Sequence, residues 1–317
     1  LVPPLCDRRR SRIGPPFVTS LVKDMRHLAF MIALVAHLAT VHLLSADEPV
    51  PESATAKAPA GGESEQAAER QRRTDFMKTL VGRHIIVAAD AQAPLALADE
   101  PFLRYTNPVR NFFTDGAVFL WLEHKRPLAA GSPTIRGTGQ VFVEFSSLTG
   151  RPLECRRENV VVWAPKTGSL VEQPLDAVPP PGASDKVRLR QMRDAARRFH
   201  VLTKSEPDVE LRLMAQPIYR YAAERDGVID GAVFAFVEAT DPDFLLVVEA
   251  HQERATSPAE WRYTLARLCS RPVEASLDGK PLWSGAGYWT NPRSVSDPYA
   301  EKLMGSYPPP SGKKPKL

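Results

Sequence analysis

The sequence contains no G-x-S-x-G, H-E-x-x-H, phosphate-binding loop or dinucleotide fingerprint. That removes the common serine-hydrolase, zinc-protease and nucleotide-binding constellations. Cysteine is scarce, three in 317 residues, and none is spaced as C-x-x-C. A dithiol redox motif and a zinc site built on paired cysteines are therefore excluded. Cys155 and Cys269, the two that lie beyond the first 46 residues, read as small buried hydrophobes or as one disulfide between modules. Histidine is sparse too. Glu123-His124 and Glu249-Ala250-His251 resemble fragments of metal sites, but neither has a second histidine at ligand spacing. No metal and no other cofactor is expected.

A net charge of one sign is also missing once the first 46 residues are set aside. They hold six of the 41 Lys+Arg and two of the 37 Asp+Glu, which leaves 35 of each. The basic isoelectric point thus gives no support for a nucleic-acid partner. Only one long apolar run occurs, Leu28 to Leu44, between Met25-Arg26-His27 and the small pair Ser45-Ala46. Residues 25–46 read as a secretory signal cleaved near Ala46. The alternatives are a retained anchor and a buried core helix. His37, Thr40 and His42 weaken the run as a membrane span, so no stable span is expected after cleavage. Residues 1–24 read as an over-extended start. The expected location is the periplasm or the extracellular space.

What the chain does have is a repeat. DGAVFLWLE at 115–123 recurs as DGAVFAFVE at 230–238. Val141 to Trp163 aligns without gaps on Trp261 to Trp283, with Leu148, Arg151, Pro152, Glu154 and Trp163 matching Leu268, Arg271, Pro272, Glu274 and Trp283. Unrelated columns agree roughly once in sixteen at ordinary usage, so five matches in these 23 columns exceed chance several-fold. Val141, Val143 and Phe145 alternate with polar neighbours, and Trp261, Tyr263 and Leu265 occupy the same columns. Both copies therefore share one pleat register.

The expected fold class is α+β: two tandem copies of a mainly antiparallel β module joined by a long amphipathic helix. Residues 47–68, rich in Pro, Ala, Glu, Ser and Gly, read as a disordered spacer. Module 1 spans 69–165 with a leading helix at about 69–80. A Pro-rich loop and connector helix fill 166–205, module 2 spans 206–290, and 291–317 reads as a disordered tail. The connector helix is expected from Ser184-Asp185 to about Leu202, its stripe of Leu189, Met192, Ala196 and Phe199 bridging both modules. That stripe would cover the continuous apolar runs at 117–122 and 244–248. Arg188, Arg190, Arg193, Arg197 and Arg198 around it read as a solvated face or, alternatively, as a basic ligand site. Turns are expected at Asp115-Gly116, Asp230-Gly231, Gly137-Thr138-Gly139, Thr240-Asp241-Pro242-Asp243 and Asp278-Gly279.

Few side chains suggest chemistry. Arg151 and Arg271, each three residues before the repeated Glu, could grip an anion or form structural ion pairs before Pro152 and Pro272. Glu123 and Glu238 could act as general acids or bases, or simply close their strands in solvent. Trp163 and Trp283 end the repeat, where an indole could stack on a sugar or peptide, or pack into the core. Trp121 reads as core.

The runs Leu213–Tyr221, Asp230–Val237, Thr240–Asp243 and Val247–Ala250 resemble a family of uncharacterised exported proteins abundant in planctomycete bacteria. So do Asn107–Arg110 and Glu144–Leu148 in the first module. The resemblance covers residues from about 75 to 285. It implies export and a duplicated β-rich fold, and it brings no known activity or catalytic residue. The expected function is a non-catalytic binding or structural protein of the cell envelope, its partner an envelope protein or glycan. The alternative is a hydrolase with its active site between the modules.

Overall fold

Residues 114–123 and 228–238 are apolar at most positions because both faces of their strands are covered. The structure, a computed structural model, describes residues 60–91, 93–109, 114–137, 139–254, 256–290 and 294–308. The expected signal segment, the over-extended start and residues 47–59 of the expected spacer lie outside the described residues.

The first half runs α1 (Ala60–Gly82), β1 (His84–Ala88), β2 (Ala96–Leu97), β3 (Leu103–Thr106), β4 (Thr114–Glu123), β5 (Arg126–Arg136), β6 (Gln140–Ser147), β7 (Leu153–Arg157), β8 (Val160–Trp163) and β9 (Leu170–Pro174). The second runs α2 (Asp185–Ala196), β10 (Phe199–Thr203), β11 (Val209–Glu210), β12 (Arg212–Leu213), β13 (Tyr219–Ala223), β14 (Val228–Glu238), β15 (Asp241–His251), β16 (Glu260–Arg267), β17 (Val273–Leu277), β18 (Lys280–Gly285) and β19 (Tyr299–Ser306). The chain is α+β, and its sheets are antiparallel throughout the described residues.

Two large sheets have matching orders, β19-β6-β5-β4-β2 with β3 also on β4, and β9-β16-β15-β14-β12 with β13 also on β14. Two small sheets match likewise, β1-β7-β8 and β10-β17-β18, the latter extended by β11. The terminal strands are exchanged. β9, which follows the first half, adds to β16 of the second, and β19, which follows the second, adds to β6 of the first.

The large sheets meet face to face through Val118, Leu120 and Ala130 on one side and Val233, Ala235, Leu245 and Val247 on the other. The alternate residues point outward. Ala117, Phe119, Trp121 and Phe145 pack under α1 and the first small sheet. Phe234, Phe236, Phe244 and Leu246 pack under α2 and the second. Each large side chain buried this way contributes about 1.5–3 kcal/mol relative to exposure.

Several expectations are corrected. No long helix joins two modules: α2 opens the second half as α1 opens the first, and it packs on β14 and β15 of that half. Its N-cap is Ser184, as expected, but it ends at Ala196. Phe199, Val201 and Thr203 then alternate inward as β10, because pairing with β17 satisfies that backbone. Residues 60–68 belong to α1 rather than to a spacer. Low hydrophobicity suggested disorder, yet Glu, Gln and Ala are strong helix formers. Tyr299–Ser306 is a strand and not part of a disordered tail, since β6 offers it a free edge. The second hairpin turns at Ala239-Thr240, so Asp241, Pro242 and Asp243 sit buried in β15. Asp278-Gly279 does form its turn, with φ of 50° and 75°. Cys155 and Cys269 are both free and buried, which rules out the disulfide, and burial pushes the Cys155 thiol up to about 12. Among the described residues, no helix is long and apolar enough to cross a membrane.

Candidate functional site

The repeated Asp-Gly pairs are not turns. Both lie inside strands, where the glycine makes room for a ring. Tyr221 lies across Gly231 so closely that a Cβ there would stand 2.6 Å from its ring, and Tyr105 covers Gly116 in the same way. Each aspartate is buried between two arginines. Asp115 accepts from Arg104 at 2.6 Å and Arg73 at 3.4 Å, and Asp230 from Arg220 at 2.6 Å and Arg188 at 2.9 Å. One arginine comes from the leading helix and one from the neighbouring strand in both halves. A cleft of about 760 Å³ beside α1 is lined by Arg73, Arg104 and the buried Asp115, with their charges already paired.

The sequence candidates Arg151, Arg271, Glu123 and Glu238 come together two by two. Arg151 holds Glu123 and, at 2.5 Å, Asp90. Arg271 holds Glu238 at 2.6 Å and the buried Asp243 at 2.5 Å. These guanidiniums are structural clasps at the bend before Pro152 and Pro272. Glu123, His124 and Asp226 bring ligand atoms within 4.8 Å of one another. Arg151 on Glu123 and Arg225, 3.2 Å from the His124 ring nitrogen, oppose a cation there. Four of the five arginines around α2 are engaged by other side chains, and the exposed Arg190 alone makes no ligand patch. Arg188, Arg197 and Arg198 pair with Asp230, Asp194 and Asp278, and Arg193 donates to Gln216.

The sequence marked Glu249 and His251 only as a metal-site fragment and assigned Glu144 no role, because Arg126, Tyr221, Tyr299 and Glu301 lie in other strands. Arg126 grips Glu249 with two bonds of 2.8 Å, while Tyr221 donates to Glu249 at 2.6 Å and the His251 ring lies at 2.9 Å. Burial pushes the Glu249 carboxyl up, but the bonds from His251 and Arg126 outweigh it and hold it down at about 2. Glu144 stands opposite Glu301 in the β6–β19 pairing and accepts from the Tyr299 hydroxyl at 2.5 Å. Burial, reinforced by the charge of Glu301, pushes the Glu144 carboxyl well above the usual carboxylate range.

The repeat-terminal tryptophans differ. Trp163 is fully buried, stacks on Phe145 with ring centroids 5.6 Å apart, and donates its indole N–H to the Asp297 carbonyl at 2.9 Å. It is core, sealed by the segment leading into β19. Trp283 is only partly covered, against Phe244 at 5.8 Å. It forms a wall of a groove of about 740 Å³ that runs past His200, Glu210, Glu274, Leu282 and Ser284. Its ring also borders a smaller cavity of about 250 Å³, with Arg267, Gly285 and Tyr288. Among the described residues the Trp283 groove is thus where a repeated aromatic meets open space. Comparison with protein-family models, with curated proteins and with solved structures returned no match.

Proposed function

We propose that this chain is an exported, non-catalytic binding protein of the cell envelope, a duplicated β unit whose ligand lies across Trp283 in the groove along β10, β17 and β18. One observation carries the reading: of two matching tryptophans, one is sealed into the core and the other faces a groove. An aromatic face beside polar side chains is how proteins commonly hold sugars and peptides. The hydrolase alternative is disfavoured, because Glu123 and Glu238 are each engaged by an arginine and Glu249 is held ionised by Arg126 and His251. Export rests on residues 25–46 of the sequence.

The test is capture from envelope extract, with a glycan array in parallel, comparing the native protein with its Trp283→Ala variant. A ligand retained by the first and lost by the second is the expected result. If both proteins capture the same set equally, the groove is not the binding site.

A further inference from the structure

We propose that β19 is a pH-sensitive strap, latched to the first half by a proton on Glu144 of β6 and released when that proton is lost.

β19 comes from the far end of the chain and ends the order of its sheet, where β6 is its neighbour. It sets two acids against each other. Glu301 stands directly opposite Glu144, and residues so paired turn their side chains to the same face. Both are buried. Val143 and Phe145 belong to the core under α1, so Glu144 faces the other way, toward the second half. Two carboxylates enclosed side by side do not both ionise without a large cost. Their partners decide which one keeps the charge. Arg136 and the Trp289 indole N–H both donate to Glu301, whereas Glu144 accepts from the Tyr299 hydroxyl at 2.5 Å. The charge therefore belongs to Glu301 and the proton to Glu144.

The other groups around Glu144 do not replace that proton. Asp241 of β15 adds a negative charge, and the positive charge of Arg136 on β5 is already engaged by Glu301. Arg267 of β16 lies over the Tyr299 ring, 4.7 Å from its centroid, and spends its donors on the carbonyls of Cys269, Ala286 and Arg271. Cys269 is a buried thiol, and burial keeps the Tyr299 hydroxyl neutral. Burial and then the charge of Glu301 push the Glu144 carboxyl up, against the bond from Tyr299. A carboxyl raised above its unfolded value of 4.5 contributes fully below 4.5, and its contribution is lost as pH rises through the folded value. The strap therefore loosens toward alkaline pH.

The other exchanged strand is the internal contrast. The repeat puts Thr264 in the column of Glu144, and the Thr264 hydroxyl accepts the Glu172 N–H of β9 at 3.0 Å. Threonine does not titrate, so β9 faces no acid at that position. Release of β19 also withdraws Asp297, whose carbonyl holds the Trp163 indole.

Trypsin tests the strap on the whole protein. Cleavage after Lys302, inside β19, reads its release, and cleavage after Arg267, buried in β16, reads unfolding of the rest. A peptide copying residues 299–306 corrects for the pH dependence of the protease. Cleavage of such a segment follows the population of its open form, so between pH 6 and pH 9 the corrected rate at Lys302 should rise about tenfold while Arg267 stays protected. Glu144→Gln keeps the shape of the protonated acid and should abolish the rise. Tyr299→Phe removes a bond that favours the charged carboxylate and should move the rise to higher pH. A flat rate in the native protein overturns the proposal. So does cleavage at Arg267 that rises in step with Lys302, or a Glu144→Gln variant that opens as the native protein does. Should the glutamine variant not fold, the two native rates and the direction of the Tyr299→Phe shift decide, and a shift to lower pH counts against the latch.

Discussion

Arg126 at the start of β5 and Glu249 near the end of β15 join the two halves through a two-bond ion pair, both bonds 2.8 Å. Arg126 is also bonded to Glu172 of the exchanged strand β9 at 2.8 Å. Glu249→Gln would leave the arginine largely buried without its main counter-charge. The expected cost is about 3–5 kcal/mol, the usual result of removing one partner of a buried pair. The urea midpoint at neutral pH measures it. The same pair dictates an acid limit. The folded carboxyl titrates at about 2 against 4.5 when unfolded, so its stabilisation is complete above 4.5 and is lost as pH falls through 2. Glu249→Gln should flatten that part of the stability profile.

His84 sets a second pH dependence at milder acidity. Burial pulls its imidazole down from 6.5 to about 4, although the Leu80 carbonyl, 3.0 Å from Nδ1, opposes the shift. The folded protein prefers the neutral ring. The full contribution is present above 6.5 and declines as pH falls through 4, by up to about 3 kcal/mol for a shift of this size. His84→Gln should reduce the loss in urea midpoint between pH 7 and pH 4. A slope equal to that of the native protein would place the dependence elsewhere.

Gly231→Ala tests whether the repeated Asp-Gly is a strand or a turn. In β14 the new methyl would collide with the Tyr221 ring, and overpacking of this kind costs about 1–3 kcal/mol. Gly279→Ala is the comparison. No atom lies within 4 Å of a Cβ there, but φ is +75°, so its cost is backbone strain alone. Adding Tyr221→Leu should relieve part of the Gly231→Ala loss and none of the Gly279→Ala loss.

The two arginine clasps should not weigh equally. Arg271→Ala removes a counter-charge from Asp243, whose side chain is 1% exposed, whereas Arg151→Ala removes one from Asp90, which is 67% exposed. The expected costs are about 3 kcal/mol for Arg271→Ala and under about 1 kcal/mol for Arg151→Ala. Equal losses in thermal unfolding would mean that the clasps act through their bends rather than through their charges.

Much of this was open to reading along the chain. Alternation at Val141, Val143 and Phe145 and at Trp261, Tyr263 and Leu265 placed β6 and β16, which begin 120 residues apart as the ungapped repeat requires. The continuous runs at 117–122 and 244–248 announced strands covered on both faces, and they are. Ser184 announced a helix start and Asp278-Gly279 a hairpin, because caps and tight turns are decided by a few adjacent residues. Asp-Gly was ambiguous for a physical reason. Glycine serves a positive φ and a close ring equally well, and only the position of Tyr105 or Tyr221 tells the two apart.

Local pattern thus determined the central strands of the repeat, the shared pleat of β6 and β16 and the doubling of the unit. Tertiary structure decided how the copies interlock, because an edge strand such as β9 or β19 carries no local mark of which sheet it will join. It also paired Arg126 with Glu249 and placed Glu144 opposite Glu301, contacts between residues more than a hundred positions apart. The fate of the tryptophans depended on both levels. The sequence holds the matching pair and the two unequal connections after them. Only the exchange of strands decides that the longer connection seals Trp163 and the shorter one leaves Trp283 facing its groove.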